Sequence, residues 1–273
     1  MKSIKETLWA KPMYLPYVHE VLTDETAKTF EQKIGYKLPQ SLIDLLKIQN
    51  GGYTRYRFFP DIPPVQIRGI GTTFPNLISL EEDLGEVFDD YRNLALENVI
   101  SFDGDGHYYY CLDYRKNQEI PQISFIDLES DEQRVIAENF DEFLNQLALN
   151  TDNLWVIKSE KSLVEIVEVF KNQLVIKFDE PDDFDYGYTQ YRAKYGGHWL
   201  WLSPNQVPFA FARKGDRNFN RLKDYEGKTA SRFPEIDARY TLISTYNEEL
   251  ALKLINEVNG IFEIVRLSDL LSE

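Results

Sequence analysis

Apolar positions recur at helical spacing from Thr23 to Gly35, with Ala27, Phe30 and Ile34 on one stripe and Gly35 as a left-handed stop. A second helix follows in KLPQSLIDLLKIQNGG. Pro39 suits its first turn because the missing N–H would be unpaired there, Leu42, Leu45 and Leu46 form the apolar face, and Asn50, Gly51 and Gly52 end it. From Tyr53 to Asn76 neither period holds, which predicts a long aromatic loop with one short strand. Ser79 then opens a capping box with Glu82, and Leu80, Leu84, Val87, Phe88, Tyr91 and Leu94 continue a helical stripe. The outer face of that predicted helix collects Glu81, Glu82, Asp83, Glu86, Asp89 and Asp90.

The period then changes to two. In SFDGDGHYYYCLDY, alternation puts Tyr108, Tyr110 and Leu112 on one face and Tyr109, Cys111 and Asp113 on the other. Asp103-Gly104-Asp105-Gly106 tolerates positive φ and predicts the hairpin turn. QISFIDL, from Gln122 to Leu128, continues a meander as its third strand. Asn139 caps a closing helix with Glu142 in the capping-box place, and Phe140, Phe143, Leu144, Leu147 and Ala148 make its buried stripe.

Asn150 to Asn153 is a polar break, and the reading divides the chain there into domains 1–150 and 151–273. The second domain opens with a helix lined by Leu163, Ile166, Val167 and Phe170 and a strand in QLVIKF, followed by an acidic loop from Asp179 to Asp185. HWLWLS and PFAFAR read as alternating strands. The end is strand, helix, strand: RYTLIS, a helix opened by Thr245 with Glu248 and lined by Ala251, Leu254, Ile255 and Val258, then IFEIVR. Such a unit normally makes a right-handed crossover between parallel strands. The predicted class is α+β in both halves.

Charge narrows the partners. The 273 residues carry 30 Lys+Arg against 45 Asp+Glu, a formal net of −15, so phosphate backbones and anionic membranes are repelled; no nucleic-acid or membrane partner is expected. Residues 1–150 hold a net −11 and residues 151–273 a net −4. The excess serves either solubility alone or a surface that meets a basic partner. One cysteine excludes a disulfide framework and a cysteine-rich zinc site, and the first residues hold no apolar run. These features predict a cytoplasmic protein.

Site chemistry is sparse. Asp103 and Asp105 begin like a calcium loop, but His107 takes the next ligand place and Tyr114 stands where a bidentate glutamate would close the cage. At this spacing in a glycine turn both carboxyls are expected to be solvated and unperturbed. His107 with Cys111 offers too few zinc ligands, and Cys111 reads as a small buried hydrophobe. IRGIGTTF lacks the lysine of a phosphate loop. His198, Trp199 and Trp201 read as core aromatics or as a stacking platform, and Arg213, Lys214, Arg217, Arg221 and Lys223 as a solvated loop or a phosphate contact. No catalytic residue, metal or cofactor is expected.

Four pieces in order carry a resemblance: Phe30-Glu31 with Ile34-Gly35 and Leu38-Pro39; Leu45-Leu46 with Asn50-Gly51-Gly52; Ile100 through Asp113; and Asn139, Phe140, Phe143, Leu144 and Leu147. Over about residues 20–150 the chain resembles the SUKH superfamily of Smi/Knr-like proteins. His107 departs from it, standing where the family often has an acid. The resemblance implies a sheet flanked by helices, in which Gly35, Leu38, Pro39, Asn50, Gly51, Gly52, Gly104, Gly106 and Asp113 make the fold. It implies a non-catalytic immunity protein that neutralises a polymorphic or contact-dependent toxin, often a nuclease. The expected toxin-binding face is Glu81, Glu82, Asp83, Glu86, Asp89 and Asp90, with Tyr53, Tyr56 and Phe59 as aromatic anchors. The alternatives are a regulatory scaffold, or ligand binding or catalysis in the second half around His198, Trp199, Trp201 and Arg213.

Overall fold

The computed structural model describes residues 4–58, 66–181 and 186–272. It falls into two compact units, Met1–Ala10 with Tyr14–Asn150 and Lys11–Met13 with Thr151–Glu273. Both combine helices with antiparallel strands, the α+β class expected. Among the described residues no helix is long and apolar enough to cross a membrane.

In the first unit, α1 (Asp24–Ile34) begins at Thr23, whose hydroxyl accepts the Thr26 N–H, and ends at left-handed Gly35. α2 (Gln40–Ile48) starts one residue later than expected: Pro39 is its N-cap, and the Pro39 carbonyl accepts the Leu42 and Ile43 N–H groups. The sheet is a sequential antiparallel meander of β1 (Ile78–Ser79), β2 (Val99–Gly104), β3 (Tyr108–Asp113), β4 (Gln122–Asp127) and β5 (Glu132–Ala137). α4 (Phe140–Gln146) is capped by Asn139 and stops before Ala148, which is exposed rather than buried.

The two faces of β3 separate as its alternation requires. Tyr110 and Leu112 join Phe30, Leu42, Leu45, Phe140 and Phe143 in the main core. Tyr109 and Cys111 face a second, smaller core with Leu80, Leu94, Leu96, Val99 and Ile126, against which Leu84, Phe88 and Tyr91 also pack. The helices therefore cover one face of the sheet and the acidic segment covers the other.

That segment is not one helix. α3 (Leu80–Leu84) ends at Gly85, at φ 52° and ψ −122°, and tighter 3-10 turns, broken by a kink at Tyr91, run on to Leu94. Glycine stops an α-helix because it takes positive φ without a Cβ clash. Phe88, Tyr91 and Leu94 pack inward on either side of and at that kink, while Val87 turns out to solvent.

Buried polar groups fix the loops. Asn50 Nδ2 donates to the Glu20 and Ile70 carbonyls at 2.7 and 2.9 Å and its Oδ1 accepts the Ile70 N–H at 2.8 Å, joining three segments. Gly51 beside it has φ 93°, and a Cβ there would meet Gly69 N at 2.7 Å. The glycines of this stretch thus serve close backbone approach.

The second unit contains a sheet in the order β7 (Tyr191–Tyr195), β8 (His198–Pro204), β9 (Thr241–Ser244), β6 (Leu154–Lys158), β10 (Glu263–Arg266). With α5 (Leu163–Gln173) after β6 and α6 (Glu248–Glu257) after β9, the frame β6-α5-β8-β9-α6-β10 is a split βαβ arrangement of ferredoxin-like type, extended by β7. β9 and β10 each pair antiparallel with β6, so they run parallel to one another without being neighbours. QLVIKF is not a strand: Val175 takes φ 53° and is exposed, Ile176 enters the core, and Phe178 makes only an isolated bridge to Ala193. An inner strand is instead LWVIK, whose consecutive buried residues show no alternation. PFAFAR is not one strand: Pro208 ends the short strand Gln206–Pro208, and Ala210–Phe211 forms a separate one. α6 is capped by Asn247 rather than by the buried Thr245.

Candidate functional site

The acidic cover is held at both ends by arginine. Arg68, only 2 % exposed, donates from Nη1 to Asp83 Oδ2 at 3.0 Å and from Nη2 to the Gly104 carbonyl at 3.0 Å. Its guanidinium also lies over the Phe74 and Tyr109 rings, at 5.2 and 5.9 Å. Asp83 is therefore an internal anchor and not part of the solvated face expected of it. At the far end Arg115 grips Asp113, from Nε to Oδ1 at 2.8 Å and from Nη2 to Oδ2 at 2.6 Å. Arg115 Nη1 reaches the Leu94 and Ala95 carbonyls, each at 3.1 Å. Ser124 Oγ completes the Asp113 carboxylate at 2.7 Å. Burial works to raise the Asp113 carboxyl, yet the Arg115 and Ser124 hydrogen bonds hold it below its ordinary value.

Between these clamps Glu81, Glu82, Glu86, Asp89 and Asp90 stand exposed. Ser79 Oγ accepts the Glu82 N–H at 3.1 Å, and the acids of the first turn lie at the positive end of α3. Glu82 meets Lys33 of α1 at 3.0 Å, with both side chains more than half exposed. A cavity of about 610 Å³ opens beside them, lined by Glu25, Thr29, Lys33, Thr72, Asn76 and Glu82.

The aromatic anchors fare differently. Tyr53 is 45 % exposed with its ring 5.0 Å from Tyr17, whereas Tyr56 is half-buried on the core with its hydroxyl 2.9 Å from Thr7 Oγ1. Tyr56 is thus a packing residue. Phe59 lies outside the described residues.

The hairpin bend overturns one expectation. Asp105 Oδ1 does accept the His107 and Tyr108 N–H groups at 2.9 and 3.3 Å, an Asx turn in solvent. Asp103 is instead buried at 4 % exposure, and burial pushes its carboxyl up to about 7. Backbone N–H groups of Gly104 and Gln66 and the Arg68 charge oppose that rise. The cause is a bulge: register shifts between Ser101 and Asp103, which turns Asp103 inward so that Oδ2 accepts the Gln66 N–H at 3.1 Å. Gly104 follows at φ 147°, where a Cβ would meet the Tyr108 carbonyl oxygen at 2.4 Å. Burial pushes the Cys111 thiol well above its usual value, which suits a core position. His107 pairs at the surface with Glu129 at 2.7 Å. No group of three or more His, Cys, Asp or Glu placed to hold a metal ion occurs among the described residues.

In the second unit Leu200 and Leu202 fill the core, while exposed Trp199 and half-buried Trp201 occupy the opposite face of β8. This corrects the reading of the tryptophans as core. Arg192 and Lys194 lie over Trp199 at 5.4 and 5.0 Å. Arg213 lines a separate cavity that includes neither tryptophan nor His198. Of the basic stretch, Lys214 and Lys223 are exposed, but Arg213, Arg217 and Arg221 are half-buried rather than solvated.

Sequence reasoning missed both clamping arginines. The available signals were a lone Arg68 in the apolar stretch IRGIG and the Asp113-x-Arg115 spacing at a strand end.

The first unit is thus an α+β domain with a meander sheet, helices on one face and an acidic cover on the other. Residues 22–146, in the N-terminal half of the chain, match the SMI1 / KNR4 family (SUKH-1). The match spans slightly under half of the 273 residues and leaves the second unit outside it. No curated protein matches the chain.

Proposed function

We propose that the N-terminal unit is a non-catalytic protein-binding module, an immunity protein that neutralises a basic toxin domain of nuclease type in the cytoplasm. Domains of the SMI1 / KNR4 family are generally of non-enzymatic, immunity type and bind toxin partners. The observation that carries the reading is the fixed display of negative charge: Glu81, Glu82, Glu86, Asp89 and Asp90 lie exposed between the Arg68 and Arg115 clamps. A nuclease grips phosphate with Lys and Arg, so a rigid acidic strip steers its approach and occupies the place of the nucleic acid. The adjoining cavity with Glu25 and Glu82 on its wall gives a projecting basic side chain a seat.

The test is a binding panel of nuclease-type toxin domains against the full chain and the variant E81K/E82K/E86K/D90K, with circular dichroism as the fold control. The expected outcome is a partner that binds the native chain and is lost, with its nuclease activity restored, in the reversed one. Equal binding by both chains removes this face from the account.

A further inference from the structure

Between β8 and β9 the chain leaves the regular sheet for residues 205–240 and folds on itself. Strands Gln206–Pro208 and Thr229–Ser231 pair antiparallel, and a 3-10 turn runs from Phe219 to Tyr225. Asn205, fully buried, closes the base: Nδ2 donates to the Phe233 and Asp237 carbonyls at 3.0 and 3.1 Å, and Oδ1 accepts the Phe233 N–H at 2.8 Å. A stack props one side, in which Lys11 Nζ lies 4.1 Å over Phe209, Phe209 stacks on Tyr225 at 5.6 Å, and Lys228 lies 5.5 Å over Tyr225.

This excursion encloses a groove of about 820 Å³ that opens to solvent. Its floor is apolar, with Phe211, Phe219 and Leu222, and Phe219 is 43 % exposed. Gly187 forms part of the wall, where a Cβ would come within 2.3 Å of Phe211 Cβ. Lys214, Lys223 and Lys228 also line the groove, with Glu226 as the acid among them. The ammonium groups of Lys214 and Lys223 make no ion pair among the described residues. In a chain of net −15 this local excess of cations over an apolar floor is not needed for solubility.

We propose that the groove binds a small amphipathic anion, an apolar body capped by a carboxylate, as in a medium-chain fatty acid. The volume lies in the range of small-molecule sites, about 300–1,000 Å³. The floor matches an alkyl chain and the lysines an anionic head. A polyanion would leave the floor unfilled, and a cationic amphiphile would meet like charge. This proposal is independent of the function assigned to the N-terminal unit.

Calorimetric titration of the full chain with decanoate, below its micelle concentration, tests it. The expected result is saturable one-to-one binding, at least about tenfold tighter than decanol or decyltrimethylammonium. Lys223→Glu, at an exposed position on the 3-10 turn, should weaken decanoate by about tenfold, and Leu222→Glu should abolish binding, while Lys194→Glu on β7 leaves it unchanged. Circular dichroism and the melting temperature identify any variant that fails to fold, and Lys223→Glu carries the test if Leu222→Glu does. No saturation by decanoate, equal affinity for the cationic amphiphile, indifference to Lys223→Glu, or attachment only to anionic phosphatidylglycerol vesicles would each overturn the proposal.

Discussion

The acidic cover of the first unit and the lysine-lined excursion of the second are built alike and finished differently. Each is an irregular segment fastened through polar side chains to backbone carbonyls, buried Arg68 and half-buried Arg115 in one and buried Asn205 in the other. The cover turns Leu80, Leu84, Phe88 and Leu94 down onto its own sheet and leaves charge outside. The excursion leaves Phe219 and an open apolar groove outside. A closed segment of the first kind acts through charge and shape, whereas one of the second kind has apolar surface left to cover.

The largest effect should come from cutting a clamp. Arg68→Ala leaves Asp83 and the Gly104 carbonyl without their buried partner and should cost about 3–5 kcal/mol in urea unfolding. A loss below about 1 kcal/mol would mean that apolar contacts alone hold the cover.

Asp103 gives the next effect, and its sign depends on pH. Its folded carboxyl, pushed up to about 7, holds a proton more tightly than in the unfolded chain, so the stability it costs is absent below the unfolded value, grows as pH rises, and levels off above 7. Asp103→Asn keeps an acceptor for the Gln66 N–H and should stabilise the protein at pH 8 by on the order of 2–4 kcal/mol, with the gain fading towards pH 4. A gain independent of pH would contradict the burial of a titrating Asp103.

The two buried asparagines sharpen the comparison. Asn50→Ala and Asn205→Ala each remove one side chain that serves three backbone groups, and each should cost about 2–3 kcal/mol in its own unit. Strongly unequal losses would break the likeness between the two anchoring schemes. Smallest is Lys33→Ala: its ion pair with Glu82 is exposed on both sides and should be worth about 0.5 kcal/mol or less.

Much of the first unit was legible because its signals are local. Asn139 caps the helix it was expected to cap, α1 runs between Thr23 and Gly35 as expected, and the Tyr-rich strand divides its faces as period two requires. The acidic segment showed its apolar stripe but not its break, because Gly85 was passed over as a stop. Asp103 and Asp83 were misread for one reason: a bulge and a distant arginine, both products of tertiary structure, decide which carboxylates face water. In the second unit LWVIK hid because a strand buried on both faces shows no alternation, and the split order of the sheet depends on pairings far apart in sequence. The groove joins Gly187 to residues 208–229, a closeness that no spacing along the chain announces.

The most direct test of the central claim is the association rate of the chain with a basic nuclease-type toxin domain, measured by stopped flow at low and high salt. A fixed acidic strip predicts a rate that falls steeply with salt, and E81K/E82K/E86K/D90K should lower the low-salt rate by at least about tenfold and flatten that dependence. An association rate unmoved by the reversal, with its salt dependence intact, would contradict the account.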